Sequence, residues 1–599
     1  MNERHFGARL TTDGASFRLW APAAKHVDLL LDKSHPLPHR LSYPLRRGEH
    51  GWFSADIPGV KAGARYRFRI DDEIDVPDPA SAFQPDDVAG PSEVIDHASY
   101  RWRAADWRGR PWQETVVIEA HVGAFTQEGT YRAMIERLDH LVATGITALE
   151  FLPLADFAGA RNWGYDGVLW YAPDSAYGRP DDLKALIDEA HLRGLMVFLD
   201  VVYNHFGPEG NYLGRYAPGF FTEAQTPWGS AIDYRVPQVR AFAIENALYW
   251  LREYRFDGLR LDAVHTIAEL GEISMLHDLS AAVGDLATET DRHIHLVLEN
   301  DDNRVSVLDA GQDPPRGKYR AQWNDDYHHA WHVLLTGESQ GYYSDFQRSP
   351  LRDIARALGS GFVYQGQASV HREGQLRGEP SGALAPTAFI NFLQNHDQIG
   401  NRALGDRLED NASTEAIEAA LAITLLAPAI PMLFMGEEWG SKTPFPFFCD
   451  FKGDLAEAVR KGRRREYAWA YAKYGDDVPD PLPDPLAPST LRTAVLDWES
   501  RETTGQQRLA LVRELLRVRA RQIAPRLAGA HFGDAHAADN GLLTANWRLG
   551  DNTTLKLMAN LSNIAMAHTA GEVTGVPIWG GAPGDIMRPW SVLWLLEAR

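Results

Sequence analysis

The amino-acid sequence predicts an α/β protein: a (β/α)8 TIM barrel preceded by an N-terminal β-sandwich and followed by a C-terminal β-sandwich. Short strands and turns occupy the start of the chain, apolar strands alternate with amphipathic helices in its middle, and strands return at its end. A chain of 599 residues is also too long for one ordinary hydrophobic core, so several domains are expected. The predicted boundaries are 1–110, 111–523 and 524–599.

Residues 1–110 are predicted to form an immunoglobulin-like β-sandwich. Ala15–Trp20 and Val27–Leu31 are short strand-like runs, and Tyr66–Ile70 alternates apolar and charged side chains as a half-exposed strand does. Turn residues separate these runs, which is typical of small sandwiches. The Asp- and Pro-rich stretch 71–100 is expected to be an irregular connection rather than part of the core.

The barrel is predicted for residues 111–523. Strands with almost continuous apolar sequences belong to a parallel sheet covered on both faces, and about eight strand–helix units favour a closed barrel over an open doubly wound sheet. Two insertions are expected, at about 203–236 and 440–500. Helices are expected at 131–144, 181–193, 237–254 and 506–521. The strand candidates are Thr115–Glu119, Ile146–Leu152, Leu195–Val202, Gly258–Leu261, His295–Leu298, Phe389–Leu393 and Met432–Met435.

Composition and charge limit the classes of partner. Hydrophobic residues make up 44% and charged residues 24%, the profile of a globular protein. The formal net charge of −21 argues against nucleic acid, whose phosphates require a clustered basic face, and against an anionic membrane surface. A neutral substrate such as a sugar is therefore expected.

Cysteine content and hydropathy predict a cytoplasmic protein. Cys449 is the one cysteine in the sequence, so no intrachain disulfide can form, and an inert thiol is expected. The residues after Met1 contain no apolar signal segment. The apolar run 419–436 is interrupted by Pro428 and Pro431, which predicts a buried helix followed by a buried strand rather than a membrane span.

Four acidic residues follow predicted barrel strands: Asp200, Asp262, Glu299 and Asp397. Because the carboxyl ends of the strands meet at one rim, where the active sites of such barrels lie, these carboxylates are expected to lie together. Polar residues accompany them at the same strand ends: Asn204, His205, Arg260 and His396.

A cluster of carboxylates suits the cleavage of a glycosidic bond. That reaction needs one carboxylic acid to protonate the leaving oxygen and one carboxylate to attack or to activate water. Crowded carboxyl groups separate one another's pKa values, which leaves one protonated and another ionised. Arg260 lies two residues before Asp262 on one strand, so both point to the same face, and the arginine favours an ionised, nucleophilic Asp262.

Each of these residues also has a simpler interpretation. A single acid at a strand end is often a helix N-cap, and a single histidine often makes a structural hydrogen bond. Carboxylates and histidines can also bind divalent metal ions, but no His-Glu-x-x-His pattern is present, so neither a metal nor a cofactor is expected. Tryptophans in predicted rim loops are candidates for stacking on sugar rings, with packing as the alternative: Trp163, Trp228, Trp323 and Trp439.

Four stretches resemble, in order, the signature motifs of the α-amylase superfamily: Asp200–His205, Gly258–Ala263, Leu296–Asn300 and Phe392–Asp397. The resemblance implies a retaining glycoside hydrolase that forms a covalent glucosyl-enzyme. It implies Asp262 as the nucleophile, Glu299 as the acid/base and Asp397 as the carboxylate that orients the transition state. It also implies that Arg260, His205 and His396 hold the sugar, that Tyr165 stacks on it and that Asp200 supports the site.

Further stretches are similar to the maltooligosyltrehalose trehalohydrolase family: Asn162–Gly167, His205–Tyr212, Glu299–Asp301 and Trp323–Asp325. This resemblance implies hydrolysis of the α-1,4 bond next to the terminal trehalose unit of maltooligosyltrehalose, with a maltooligosyltrehalose synthase as the functional partner. One departure concerns His265-Thr266, since many amylases carry Lys-His there. The remaining substrate-binding candidates are Asn204, His265, Trp163 and Trp323.

Two other functions stay open. An α-glucan branching or debranching enzyme would also carry a β-sandwich before its barrel. A non-catalytic glucan-binding protein could use an amylase barrel, although the joint presence of Asp262, Glu299 and Asp397 argues against a degenerate site. The sequence does not determine the oligomeric state, the preferred chain length or the residues that select the α,α-1,1-linked end.

Overall fold

A computed structural model describes residues 5–32, 42–226, 229–269, 273–309, 316–466, 482–567, 574–581 and 586–598. A closed barrel of eight parallel strands forms its centre, and antiparallel β-domains precede and follow the barrel in the chain. The fold class predicted from the sequence is confirmed.

Two antiparallel sheets form the N-terminal sandwich, and they contact through Phe17 and Tyr66, whose ring centroids are 4.9 Å apart. Buried and partly exposed residues alternate along Val27–Leu31 and Arg65–Ile70, so one face of the second sheet supplies the core. The strands of the first sheet are, in spatial order, Arg9–Leu10, Gly14–Trp20, Trp52–Pro58 and Arg46–Arg47. Those of the second are Ser42–Pro44, Val27–Leu31, Arg65–Ile70 and Ile74–Val76, and Ser92–Glu93 also pairs with Arg65–Ile70.

The expectation that residues 71–100 lie outside the core is wrong for their middle part, since residues 76–84 are buried. Asp78 accepts hydrogen bonds from the Tyr66 hydroxyl at 2.7 Å and from the backbone N–H of Ala80 at 2.9 Å. The Ser92 hydroxyl donates to Gln84 at 2.7 Å. Buried polar groups are tolerated when they are hydrogen-bonded, and an Asp- and Pro-rich composition does not reveal such partners.

The eight barrel strands pair in chain order, and the last closes on the first. In the fourth and fifth strands, Leu261 pairs in register with Leu298. The interior is filled by residues that include Val117, Ala148 and Phe198. Barrel strands 1 to 8 are Val117–Ala120, Ala148–Phe151, Met196–Val201, Gly258–Leu261, His295–Leu298, Ala321–Trp323, Phe389–Asn391 and Ile430–Phe434.

Barrel strand 6, Ala321–Trp323, was missing from the strand candidates. It is three residues long and contains Gln322, and Arg320 and Asn324 flank it. It therefore lacks the apolar run by which the other strands were identified, and only pairing with strands 5 and 7 reveals it.

Helices cover the outside of the barrel. The expected helix at 131–144 is two helices, because hydrogen bonds of the i→i−3 type replace the α-helical pattern at Glu136 and Arg137. The apolar run 419–436 forms a helix and barrel strand 8, as expected. The helices are Val122–Phe125, Tyr131–Ile135, Leu138–Thr144, Pro180–Leu192, Leu213–Tyr216, Pro237–Glu253, Val264–Glu269, Ile273–Thr290, Asp325–Thr336, Pro350–Ser360, His396–Gly400, Thr414–Leu426, Gly453–Glu466, Pro488–Ala494 and Gln506–Val518, the last continuing as a π-helix over Arg519–Ile523.

Additional short sheets lie in the connections of the barrel domain. The segment after barrel strand 3 contains a hairpin, and residues 467–481 of the other expected insertion lie outside the described residues. The paired strands are Ala155–Asp156 with Leu169–Pro173, Phe221–Thr226 with Gly229–Ile232, and Gln367–Ala368 with Leu376–Arg377.

The C-terminal domain contains a five-stranded antiparallel sheet and a two-stranded one. Two indole N–H groups attach the larger sheet to the barrel domain: Trp547 donates to the Leu358 carbonyl at 2.9 Å and Trp594 to the Ala422 carbonyl at 3.1 Å. The strands of the larger sheet are His531–Ala537, Leu542–Arg548, Thr554–Asn560, Ser591–Glu597 and Val576–Trp579, and those of the smaller are Met566–Ala567 and Ile586–Met587.

Two predictions from the sequence concern the Cys449 thiol and a membrane-spanning helix. Cys449 is buried, and this burial raises the pKa of its thiol to about 12, so the reactive thiolate is scarce at neutral pH. No helix in the described ranges is long and apolar enough to cross a bilayer. The cytoplasmic location stays a prediction.

Candidate active site

The polar residues of the site belong to the inner face of the barrel. Alternate residues of a strand point to the same side, so Glu119 follows the interior Val117, Glu150 follows Ala148, and Asp200 follows Phe198. The apolar interior therefore gives way to acids at the carboxyl ends of the strands, where barrel active sites form.

Arg260 is the centre of this cluster, and its side chain is 2% exposed. One guanidinium nitrogen donates to Asp200 at 2.6 Å and to Asp262 at 2.8 Å, and the other donates to Glu299 at 2.7 Å. The guanidinium carbon lies 4.1 Å from the centroid of the Trp323 ring, a cation–π distance. Arg260 thus fixes three carboxyl groups on three strands.

Both oxygens of Asp262 are held. Arg260 donates to one, and the side-chain amide of Asn204 donates to the other at 2.7 Å. The orientation of the Asp262 carboxyl group is therefore fixed by a donor on each oxygen. The next residue, Ala263, has a left-handed φ of 42°, and its backbone N–H donates to Glu299 at 2.9 Å. This turn ties the nucleophile candidate to the acid/base candidate.

The surroundings of Glu299 shift it towards the protonated form that an acid needs. Desolvation raises the pKa of Glu299, Arg260 acts against this, and the charge of Asp262 raises the pKa further, so the net shift is upward. Asp262 and Glu299 thus have the unequal surroundings that let two neighbouring carboxyl groups take different roles.

Asp200 supports the cluster from below. Its side chain is 2% exposed, and it accepts hydrogen bonds from Arg260 and, at 2.6 Å, from the Tyr165 hydroxyl. Burial and the charge of Asp262 raise the pKa of Asp200 to about 7, although Arg260 lowers it. Asp200 thus holds Arg260 and Tyr165 in place beneath the cluster.

The two histidines differ in charge. Burial lowers the pKa of His396, but Glu119, which bonds both its ring and its backbone N–H, outweighs burial and raises that pKa to about 9. Burial lowers the pKa of His205, whose ring contacts the Tyr165 carbonyl at 2.8 Å and the Asn204 side chain. His396 is therefore cationic and His205 neutral near pH 7.

Tyr165 contacts both His396 and Asp200. Its ring stacks on the His396 imidazole with centroids 5.0 Å apart and an interplanar angle of 21°. The Tyr165 hydroxyl is bonded to Asp200, so the ring is fixed at its edge and on one face. Glu119, which orients His396, was not among the candidates, although its spacing of two from the interior Val117 could have revealed it.

Asp397 is much more open than Asp200, Asp262 and Glu299, with 46% of its side chain exposed. It lies in the first turn of the helix His396–Gly400, and the Asn401 amide donates to it at 3.1 Å. Asp397 and Glu299 line one pocket with acidic and basic residues that the sequence did not identify as site residues. These are Asp301, Asp325, Arg372 and Arg377.

Arg372 and Arg377 form a second charged group beyond Glu299. Arg377 donates to Asp301 at 2.9 Å and to Asp326 at 2.7 Å, and Arg372 donates to Asp301 as well. His265 also belongs to this side, since its ring nitrogen accepts from the Asp301 backbone N–H at 3.4 Å. Arg372 and Arg377 come from the long connection between barrel strands 6 and 7, where no regular spacing indicates them.

The three candidate tryptophans that the structure describes are buried, although Trp323 also lines the pocket of Asp397 and Glu299. Trp163 is 3% exposed because its ring stacks on Phe445, with centroids 5.4 Å apart. The ring face of Trp323 is covered by Arg260. Trp439 is buried against Trp498 away from the pocket, and Trp228 lies outside the described residues. Aromatic residues near a predicted rim were thus mostly packing residues.

Within the parts of the chain that the structure describes, no group of three or more His, Cys, Asp or Glu side chains could hold a metal ion. The expectation that the reaction needs no metal or cofactor stays a prediction.

Comparison with known proteins shows the family. A curated malto-oligosyltrehalose trehalohydrolase from Deinococcus radiodurans is 40% identical over 579 residues, which cover 93% of this chain and 92% of the relative. One from Saccharolobus solfataricus is 38% identical and covers 86% of both chains. This chain belongs to the malto-oligosyltrehalose trehalohydrolase family. It is a glycoside hydrolase of the α-amylase superfamily.

Family models and solved structures describe the same superfamily and fold. Residues 100–218 match the alpha amylase catalytic domain, residues 5–82 match carbohydrate-binding module 48 (isoamylase N-terminal domain), and residues 530–594 match a domain of unknown function, DUF3459. A crystal structure of an α-amylase-like protein from Salmonella typhimurium is 43% identical, covers 99% of both chains and has a TM-score of 0.92. Pullulanase from Paenibacillus barengoltzii, at 20% identity and a TM-score of 0.70, shares the fold.

Proposed function

We propose that this enzyme hydrolyses the α-1,4 bond next to the terminal trehalose unit of maltooligosyltrehalose and releases trehalose, with retention of configuration. The observation that carries the chemistry is the single guanidinium of Arg260, which holds Asp262 at 2.8 Å and Glu299 at 2.7 Å. Membership of the trehalohydrolase family supports the choice of substrate.

In the first step the Asp262 carboxylate attacks the anomeric carbon while Glu299 gives its proton to the glycosidic oxygen. The carbon–oxygen bond breaks, trehalose leaves, and a glucosyl ester on Asp262 remains. In the second step the Glu299 carboxylate takes a proton from water, the water oxygen attacks the same carbon, and Asp262 leaves. Asp397, open to the pocket, accepts hydrogen bonds from sugar hydroxyls.

The two carboxyl groups that Arg260 binds carry the same total charge before and after the first step. Glu299 becomes negative as it loses its proton, while Asp262 loses its charge as it forms the ester. Arg260 touches both groups, so the guanidinium faces the same total charge before and after the transfer. A preorganised environment of this kind stabilises the transition state without reorganising.

The leaving group would occupy the pocket beyond Glu299. Its charged and polar wall, which includes Asp301, Asp325 and Arg372, suits the hydroxyl groups of a disaccharide. The α,α-1,1 link of the substrate must be made before this enzyme acts. We therefore place it after a maltooligosyltrehalose synthase, in the cytoplasm.

The test compares maltotriosyltrehalose with maltopentaose at equal concentration, with Asp262→Asn as the blank. We expect trehalose to form much faster than maltopentaose is cleaved, and the first glucan product to carry the α-anomeric configuration by NMR. Equal attack on both substrates would contradict the proposed specificity. New or lost α-1,6 branches would favour a branching or debranching function instead. This function is the second candidate because a branching enzyme from Rhodococcus jostii is 34% identical.

A further inference from the structure

Glu150 is a buried acid that the proposed mechanism does not use. It lies in barrel strand 2, in register with Glu119 of strand 1, and is 1% exposed. Both oxygens of its carboxyl group lack a hydrogen-bond partner among the residues that the structure describes. Its place on the inner face, two residues after Ala148, puts it in the layer of the barrel directly below the active site.

The cations of this layer already serve other acids. Arg260 binds Asp200, Asp262 and Glu299, and His396 is bonded to Glu119. The charged groups that act on Glu150 are Asp200 and Glu119, which disfavour its ionisation, and Arg260 and His396, which favour it. An ionised Glu150 would thus be a buried charge without a bonded cation, which is costly.

One acceptor in the same layer lacks a donor. The second carboxylate oxygen of Asp200, the one that Arg260 and Tyr165 do not bond, is buried and has no partner in the described part of the chain. Asp200 also exerts the largest charge effect on Glu150. A protonated carboxyl group has an O–H to donate, whereas an ionised one accepts only.

We propose that Glu150 is a positioning residue kept as an uncharged carboxylic acid, which donates a hydrogen bond towards Asp200 directly or through an internal water. Donation to Asp200 favours its ionised form, and an ionised Asp200 holds Arg260 in place against Asp262 and Glu299. Glu150 thus stabilises the catalytic arrangement without adding a charge to it. Burial, together with the charges of Asp200 and Glu119, raises the pKa of Glu150, which agrees with this state.

Infrared difference spectroscopy tests the protonation state without any substrate, so its outcome does not depend on the proposed function. We expect the wild type at neutral pH to show a protonated-carboxyl C=O band that Glu150→Gln lacks. The matched control is Glu119→Gln on the neighbouring strand, which should leave the protonated-carboxyl band of Glu150 in place. A Glu150→Gln difference confined to the carboxylate region would overturn the proposal.

Kinetics test the positioning role. Glu150→Gln keeps an uncharged hydrogen-bond donor. Glu150→Met keeps a side chain of similar size but removes the donor. We expect Glu150→Gln to retain most of the activity and the wild-type pH profile, and Glu150→Met to lower kcat by ~10-fold, the effect of leaving a buried acceptor unsatisfied. In Glu150→Met, kcat should fall by a larger factor than KM rises, because Asp200 does not touch substrate in the proposed mechanism.

Equal losses for Gln and Met, or a pH limb that disappears in Glu150→Gln, would mean that Glu150 acts as an anion and would overturn the proposal. Thermal unfolding of each variant shows whether it is folded. If Glu150→Met does not fold, the infrared band and the pH profile of Glu150→Gln still decide.

Discussion

Two buried arginines line the same pocket, Arg260 on the side of the nucleophile and Arg377 on the side of the leaving group. Each binds carboxylates from other parts of the barrel domain. They differ in what those carboxylates do. The partners of Arg260 include Asp262 and Glu299, whose charges change during the proposed reaction.

Asp301, a partner of Arg377, is instead favoured in its ionised form. Burial raises the pKa of Asp301, but Arg377 and Arg372 outweigh it, so that pKa lies below its usual value. Arg260 therefore binds carboxyl groups whose charges change during the proposed reaction, whereas Arg377 holds a carboxylate whose charge stays constant during that reaction. Substitutions on the Arg260 side should therefore act on kcat, and substitutions on the Arg377 side should act on KM.

The largest effect is expected for Glu299→Gln. Gln keeps the size of the side chain but has no proton to give, so kcat should fall by roughly 10²–10⁴-fold, the usual contribution of general acid catalysis. The variant's turnover of maltotriosyltrehalose measures this, with circular dichroism as the control for folding. Unaltered turnover would show that Glu299 is not the acid/base of the reaction.

A smaller loss is expected for Glu119→Gln, which removes the carboxylate that keeps His396 charged. The pKa of His396 should fall from about 9, and kcat/KM at neutral pH should fall by ~10-fold, as for a lost hydrogen bond to a charged group. NMR titration of the histidine ring protons measures the pKa. An unshifted His396 would show that Glu119 is not its charge partner.

The same pair predicts a pH dependence of stability. His396 has a folded-state pKa of about 9, above the ordinary value of 6.5. Its contribution to the free energy of unfolding is therefore complete below about pH 6.5 and is lost as the pH rises through about 9. Thermal unfolding between these values should show a steeper decline for the wild type than for Glu119→Gln, and parallel curves would contradict the assignment.

A moderate effect on the other side of the pocket is expected for Arg377→Lys. Lys keeps the charge but cannot reach Asp301 and Asp326 together with a planar fork, so KM for maltotriosyltrehalose should rise by ~5-fold while kcat changes little, the effect of lost uniform binding. A fall in kcat with unchanged KM would contradict the division between the two arginines.

The smallest effect is expected for Arg463→Met. Arg463 donates to Asn401 at 3.0 Å, and Asn401 donates to Asp397 at 3.1 Å, so Arg463 acts on the third carboxylate through an exposed amide. Exposed contacts contribute little, and kcat should fall by no more than ~2–3-fold. Arg465→Met on the same helix is the control. Equal changes in the two variants would show that the Arg463–Asn401 contact has no role.

The sequence predicted the parts of the site that lie at the ends of apolar strands. Asp200, Asp262 and Glu299 each follow such a run, and the structure brings them to one arginine. Glu119 and Glu150 were missed because they lie within the predicted strands Thr115–Glu119 and Ile146–Leu152, whereas the candidate acids were those that follow a strand. Their signal was the spacing of two from the interior residues Val117 and Ala148.

The leaving-group side was not predictable in the same way. Asp301, Arg372 and Arg377 are distant in the chain and meet because the connection between barrel strands 6 and 7 folds back over the rim. Barrel strand 6 itself was missed for its short polar sequence. Periodicity identifies elements with one buried face, whereas contacts between loops depend on tertiary packing.

The register of barrel strands 4 and 5 sets the distance between the two catalytic candidates. Leu261 pairs with Leu298, and Asp262 and Glu299 are the next residues of the two strands. The backbone N–H of Glu299 still donates to the Leu261 carbonyl at 3.0 Å, so the ladder extends to the acid itself. Neighbouring strands lie about 4.8 Å apart, close to the roughly 5–5.5 Å that separates the carboxyl groups of retaining glycosidases. Main-chain hydrogen bonding thus sets Asp262 and Glu299 side by side, at a spacing that suits the proposed retention of configuration.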